Sequence, residues 1–512
     1  MKKLTTPALA AAVLGLAIGV SATVYHVPSQ YPTIQAGIDA ALEGDTVLVA
    51  DGTYTGDGNR DLDFGGVNMV VMSENGPEVT IIDCEGSEQD PHRGFDFHCG
   101  EDSNSVVKGF TIRNGYASGS GLAGMGGGIR CDTSSPTFEG NMIRENTAED
   151  GGGGIGCRVS YAIIKGNTIT KNASGWSGGG VDCAIDDSKI LGNLIIGNIS
   201  ARGGGIGCRL GSAPRIFGNM IAGNVAVYGG GIQCFSGSPT IAGNTITANM
   251  ADWWGGGIYC DHNSCPTIAG NTIAGNTAED HGGGIYCSYY ARPRVTNSIL
   301  WGDSASLGQE IYLSSGWGGT SAIDVEYSDV EGGSSAVYVE PESRLHWMEG
   351  NIDADPIFVE QSWGDYRLLW GSPCIDSGDP DSLDPDGTRS DMGRYFFDQS
   401  KTLVTYLTPE AVSVHQGETR HVLYTLINCH DEPQPCWGVV TLTLPGGEAW
   451  PGNPLEGPCH GVMPPEFNWQ YVREYTVPET WPLGMWGFTW KVGMPGNLFD
   501  QDRFMFTVVE PE

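Results

Sequence analysis

Basic residues are scarce in this sequence. The 512-residue chain carries 26 lysines and arginines against 61 aspartates and glutamates, a net charge of −35. Nucleic acid is bound through basic patches, so it is excluded as a partner, and docking on anionic lipid headgroups is disfavoured for the same reason. Charge of either sign is thin as well, at 17% of residues against about 25% in ordinary domains. Few residues remain for the i,i+4 pairs that steady surface helices. Past residue 22 no apolar run approaches the ~18 residues of a membrane span. No strict Gly-X-Y period appears, which excludes collagen. A hydrophobic content of 40%, with 14 Trp, 19 Tyr and 15 Phe, excludes a disordered chain.

What abounds is glycine, 78 residues, roughly double the usual ~7% share. Many fall in one repeated phrase. Gly126-Gly127-Gly128-Ile129-Arg130-Cys131 is its first copy, and six more end at Cys157, Cys183, Cys208, Cys234, Cys260 and Cys287. A Gly-Asn phrase follows each of the first six, at Asn141, Asn167, Asn193, Asn219, Asn244 and Asn271. A second asparagine comes five residues later, at Asn146, Asn172, Asn198, Asn224, Asn249 and Asn276. The period is about 26 residues, which signals a solenoid or array. Each unit holds three short β-type runs, such as Gly257 to Cys260, Pro266 to Ile268 and Thr272-Ile273, with no stretch periodic enough for a helix. Helical arrays are excluded, and a propeller blade needs roughly 40 residues. The reading is a parallel β-helix of three-strand coils. Asparagine suits its turns because it tolerates left-handed backbone and can bond to its counterpart one coil away.

Side chains alternate along a strand, so the seven repeat cysteines form an inward column at about 4.8 Å spacing. That column is either a metal or redox device or a set of small hydrophobes filling a narrow core; the second is preferred. Looser coils precede the array, with strands at Val47 to Val49, Met69 to Val71, Thr80 to Ile82, Phe95/Phe97 and Phe110/Ile112. Thr33 to Leu42 reads as a capping helix with Ile34, Ile38 and Leu42 on one side. Pairing of Cys84 with Cys99, of Cys429 with Cys436, and of Cys459 with either of the latter two, stays open.

Lys2-Lys3, the apolar stretch Ala8 to Val20 and the small-residue site Val20-Ser21-Ala22 form a secretory signal peptide, residues 1–22. The expected product is a secreted or cell-surface monomer. The β-helix is expected over residues 23–398, closing in an Asp-rich segment. Alternating runs from Val412 to Val508, broken by Pro/Gly turns, predict an Ig-like β-sandwich over residues 399–512.

Gly-Gly-Gly-Ile-x-Cys followed by Gly-Asn-x-Ile resembles the right-handed parallel β-helix repeat of pectate-lyase-like superfamily proteins. Val27-Pro28-Ser29-Gln30-Tyr31-Pro32-Thr33-Ile34-Gln35, with Gly44-Asp45-Thr46-Val47, looks like that family's N-terminal cap. Asp355 to Phe358 and Gly371 to Gly378 resemble the closing segment of secreted and surface-exposed bacterial β-helix proteins. The resemblance covers residues 24–398 and implies an all-β fold. It implies no single activity, since relatives include polysaccharide lyases, glycoside hydrolases and proteins without known activity. A lyase of this superfamily would use acidic calcium ligands and an arginine or lysine base, and no such motif matches here.

Three constellations remain as candidate sites. Asp182 lies between glycines of neighbouring coils, with Arg158 and Arg209 diagonal to it. The group could bind a carboxylated sugar and act catalytically, or be a surface ion-pair cluster. Trp176, Tyr228, Trp253 and Trp254 precede successive glycine phrases, with Tyr259 and Tyr286 beside them; their rings suit sugar stacking or simply cover the turn. Asp379, Asp381, Asp384 and Asp386, ending at Gly387, could wrap calcium or form a solvated acidic turn. No other cofactor is expected. The leading functional reading is a non-catalytic carbohydrate-binding or structural protein with an extracellular glycan as partner. The rivals are a lyase or hydrolase acting on acidic glycans, and a surface adhesin, for which an apolar C-terminal anchor would be expected.

Overall fold

A computed structural model describes residues 22–316 and 319–511. The signal-peptide reading therefore falls outside the described residues, apart from Ala22. Each coil repeats one path. In the coil opening at Ile258, strands run Ile258–Asp261, Thr267–Ala269, Thr272–Ala274 and Thr277–Ala278. The repeat alone suggests the first three. The fourth arises because backbone between the second asparagine and the glycine phrase also pairs with the coil below. Stacked in chain order, the coils build parallel sheets of 13, 11, 10 and 7 strands among the described residues.

The core is a set of columns. Ile164, Ile190, Ile216, Ile241 and Ile268 stand over one another in the largest sheet. The repeat cysteines pair Cys131↔Cys157↔Cys183↔Cys208↔Cys234↔Cys260↔Cys287 in the ten-stranded sheet. Phe97 and Leu313 occupy the same column at its two ends, so cysteine fills a hydrophobic slot. All fourteen cysteines are free. Burial pushes the thiols of Cys131, Cys183 and Cys287 up, which holds them protonated and unreactive.

Two asparagine ladders fasten the coils. The backbone N–H and Nδ2 of Asn198 both donate to Oδ1 of Asn224 at 3.0 Å. The Nδ2 also donates back to the Ile169 carbonyl at 2.9 Å. The same pattern runs from Asn146 to Asn276 and, five residues earlier, from Asn141 to Asn271. The left-handed residue of the Gly-Asn phrase is the glycine, as at Gly166 (φ 62°). Asparagine recurs here for its side-chain bonds, not for its backbone tolerance. In the glycine phrase the coils approach too closely for any side chain: a Cβ on Gly230 would lie 2.5 Å from the Met250 carbonyl.

The N-terminal cap is shorter than expected. The helix spans Ile34–Ala40, capped by Thr33, with Ile34 and Ile38 buried. Leu42 lies beyond it and is 68% exposed, because Asp45 accepts the Leu42 N–H and turns the chain there. At the far end the strand Arg344–Trp347 closes the stack, with Leu345 and Trp347 against the core. The Asp-rich segment then returns along the outside of the coils. Tyr366 bonds Thr247, and Arg394 donates to the carbonyls of Gly218 and Asn219.

Two mainly antiparallel sheets follow, of three and five strands, with the edge strand Ser413–His415 of the larger one pairing in parallel. Besides the runs read from the sequence they contain Val404–Pro409 and Glu456–Met463. Arg367 ties them to the solenoid segment. It chelates Asp365, bonds Asp502 at 2.6 Å and stacks over Tyr406 at 4.2 Å.

The last asparagine ladder ends on an acid pair. Asp303 Oδ1 accepts from Asn276, and Glu310 Oε1 accepts the Asp303 N–H. Among the described residues no donor reaches the buried Asp303 Oδ2 and Glu310 Oε2, so the pair needs a proton between them. Burial pushes both carboxyls above the ordinary range, and Asp303 raises Glu310 further. Their folded pKa values exceed the unfolded ~4, so their stabilisation is full below pH 4 and drains away as pH rises through the folded values. Asp303→Asn keeps the acceptor for Asn276 and supplies an N–H to Glu310. Its melting temperature should gain on the wild type steadily from pH 5 to pH 9; a difference independent of pH would contradict the shared proton.

A second expectation separates the ladders from the cysteines. Asn198→Ala orphans two buried donors of Asn172 and should cost roughly 2–5 kcal/mol. Cys208→Ala should cost only about 1–2 kcal/mol by cavity formation. Chemical denaturation of both variants measures the contrast.

Candidate functional site

The outer face of the ten-stranded cysteine sheet has two halves. Strands of the N-terminal half carry alternating charges that pair along the sheet. Asp96 holds Arg130 through two 2.7 Å bonds, and Asp132 holds Arg158 at 2.8 Å. Asp182 accepts from Arg209 Nε at 2.9 Å, while Arg209 Nη2 reaches Asp150 at 2.7 Å. The structure thus joins Asp182 to Arg209 and sends Arg158 to a different partner.

Asp182 is fully buried. The glycines beside it do not leave an open slot. A Cβ on Gly207 would meet Ser177 Oγ and the Gly178 nitrogen, and one on Gly156 would meet the Gly126 nitrogen. Turn backbone fills the space that sequence spacing leaves empty. Burial pushes the Asp182 carboxyl up against the opposing pull of Arg209. The grouping expected of Asp182, Arg158 and Arg209 is therefore corrected: Asp182 and Arg209 belong to a buried ion-pair network with Asp150, and Arg158 stands apart on Asp132.

Aromatic rings occupy the C-terminal half. Tyr259, Tyr286 and Tyr312 rise through successive coils, and Tyr338 ends the column. Centroids are 5.5 Å apart from Tyr259 to Tyr286, 5.2 Å from Tyr286 to Tyr312 and 4.9 Å from Tyr312 to Tyr338. Trp254 lies flat beside Tyr286 at 5.1 Å and 9°. Tyr259 and Tyr286 are buried by this stacking, which corrects the expectation that their faces meet a sugar. The exposed rings are Trp176 at 49%, Trp253 at 48% and Tyr338 at 40%, with Tyr228 and Trp254 half-buried. Arg202 covers one face of Trp176, 3.9 Å from its centroid.

Where this strip ends the stack opens into a cavity of about 160 Å³. Trp254, His281, Tyr286, Tyr312 and Glu340 line it. Glu340 accepts from the Tyr312 hydroxyl at 2.5 Å and from the Ser315 N–H at 2.6 Å. Burial pushes the Glu340 carboxyl up, but these bonds and those from the Ser314 and Ser315 hydroxyls outweigh it and hold it below the usual range. Glu340 is therefore a fixed anion, not a proton donor. Among the described residues no hydrogen-bond partner reaches the buried Nδ1 of His281. The sequence reading of this strip did not include His281, Tyr312, Tyr338 or Glu340. Extending the tyrosine column by its own period past Trp301, where the glycine phrase fades, would have found the last three.

The acidic segment does not gather into a site. Asp379 caps the Asp381 N–H, Asp384 the Asp391 N–H, and Asp386 the N–H groups of Thr388 and Gln399. The carboxylates of Asp379, Asp384 and Asp386 are thus turned onto backbone, and among the described residues the four aspartates do not bring their oxygens together as the expected calcium cage requires. Among the described residues the ligating atoms that do converge, within 4.8 Å, belong to Asp63, His98 and Cys99. Their mixed O, N and S donors suit a transition metal better than calcium. Among the same residues no helix is long and apolar enough to cross a membrane.

Residues 160–300 match the family model for the right handed beta helix region. With the parallel solenoid, that settles the fold. The chain is a right-handed parallel β-helix protein. No curated protein matches it. Solved structures resembling parts of this β-helix protein include the sporulation control protein Spo0M of Bacillus subtilis, at 12% identity and TM-score 0.18. The match covers 22% of this chain and spans half of Spo0M. The CARDB domain of the PF1109 protein of Pyrococcus furiosus matches at 12% identity and TM-score 0.17, over 21% of this chain and 89% of that one. A beta-glucosidase of Listeria innocua matches at 17% identity and TM-score 0.16, over 25% and 19%.

The ion-pair network of the β-helix protein can be weighed by substitution. Arg209→Met leaves Asp182 buried without its cation and should cost about 3–5 kcal/mol. Arg158→Met breaks a half-exposed pair and should cost less than about 1 kcal/mol. Equal losses in denaturant titrations would refute this reading of the Asp182 site.

Proposed function

We propose that this is an exported, non-catalytic glycan-binding protein of pectate-lyase-like descent. Its polysaccharide chain lies along the exposed aromatic strip and ends in the Trp254–Tyr312 cavity. The observation that carries this reading is the cavity at the end of the strip. It offers apolar ring faces, a fixed carboxylate acceptor at Glu340 and an unsatisfied His281 nitrogen. A sugar ring presents the matching surfaces, since its C–H face packs on aromatics while its hydroxyls donate to Glu340 and bond His281. Coils about 4.8 Å apart make the strip continuous, which suits a long repetitive ligand. Neutral glycans are favoured over uronate polymers because the chain is already at −35. Export rests on the three-part N-terminal segment of residues 1–22.

Each ring contact is worth on the order of 1 kcal/mol, so affinities in the micromolar to millimolar range are expected. Calorimetric titration with neutral glucan and xylan oligosaccharides should show saturable binding without product release. Trp253→Ala with Trp254→Ala should weaken it about tenfold or more. Absence of binding by the wild type, or unchanged affinity in the double variant, would remove the glycan reading.

A further inference from the structure

We propose that the C-terminal antiparallel domain is a second binding site, taking a neutral amphiphile between its two sheets. On one side of the domain each sheet ends in a strand with no outer neighbour among the described residues. These strands are Glu456–Met463 in the five-stranded sheet and Phe467–Thr476 in the three-stranded one. Between the sheets lies a cavity of about 540 Å³, inside the roughly 300–1,000 Å³ of small-molecule sites. Leu426, Val440, Met463 and Trp490 form its depth and are buried.

Nearer the mouth stand Phe467, Trp469 and Tyr471, at alternate positions along one strand and so on one face. Inner-face side chains of a closed sandwich interdigitate with the opposite sheet. These three line the cavity yet remain 45%, 39% and 52% exposed. Trp469 and Tyr471 stack at 5.9 Å and 18°, which makes a flat wall. An apolar body against this wall would remove all three rings from water.

The polar groups select the head of the ligand. Arg473 and Glu456 are ion-paired at the cavity, and the hydroxyls of Tyr424 and Tyr475 bond each other at 2.5 Å. The lining therefore offers donors and acceptors without net charge. An anionic head would have to take Arg473 from Glu456, and a cationic head would have to take Glu456 from Arg473. A hydroxyl donates to one and accepts from the other without breaking the pair. A neutral molecule with an apolar body and a hydroxyl end is the occupant these groups fit.

The test uses the full chain with Nile red as probe and three competitors of equal length, 1-decanol, decanoate and decylamine. One saturable site is expected, displaced by decanol at a concentration at least tenfold lower than by either charged competitor. Bound decanol should also slow maleimide alkylation of Cys459, an exposed thiol in the cavity lining. Trp469→Ala with Tyr471→Ala should weaken Nile red binding at least tenfold and leave the melting temperature and glycan titration unchanged. The proposal is overturned by absence of saturable binding, by equal displacement with the charged competitors, or by unprotected Cys459. It is equally overturned if sedimentation shows a dimer that the double variant abolishes, which would assign the mouth to a second copy of the chain.

Discussion

Everything in the solenoid depends on stacking in register. Each coil must set its backbone about 4.8 Å above the one before, with like residue over like. Once that holds, a side chain is judged by how it packs against copies of itself. Asparagine passes because its amide donates and accepts along the same axis, as Asn198 does to Asn224. Cysteine passes because it is small and apolar enough to fill the column that Phe97 and Leu313 also occupy. Three glycines in succession are required because a Cβ on the second or third would strike a carbonyl of the next coil, while the first has positive φ and its Cβ would strike a carbonyl of its own coil.

The same constraint explains why the fold was legible in the sequence. A residue needed once per coil appears once per period, and the Asn, Gly and Cys positions announce the turns and the inward face. What is not periodic was harder to read. The fourth strand of each coil has no fixed side chain, only backbone pairing. The helix was drawn too long because Leu42 continues its apolar spacing, and the Asp45 bond that ends it lies outside the helical pattern. Two strands of the C-terminal sheets escaped as well. Glu456–Met463 is poor in alternation and exposed along most of its length.

The candidate site was legible only in outline. Sequence spacing located the outward columns but could not say what fills the gaps between them. A glycine beside Asp182 reads as vacancy, while the structure uses it to bring backbone over the carboxylate. A tyrosine on an outward position reads as exposed, but Tyr259 and Tyr286 are covered by their own column. In both cases the error is the same: an outward residue on a stacked sheet has neighbours above and below it. Charges in such a column neutralise each other, and rings in it bury each other.

That neutralisation and burial point to where a ligand can still act. A column whose members satisfy one another has nothing left to offer, as with Asp96–Arg130 and Asp182–Arg209. Chemistry survives where the period breaks. Past Trp301 the glycine phrase fades, and there Glu340 takes a position held in the preceding coils by Ser288 and Ser314. Beside it His281 brings a nitrogen that no repeat partner satisfies. The same reasoning applies to the C-terminal sheets, where Trp469 and Tyr471 face the cavity between the sheets yet stay exposed. In a protein built by repetition, the residues that repeat hold the fold, and those left without a counterpart are the ones free to bind.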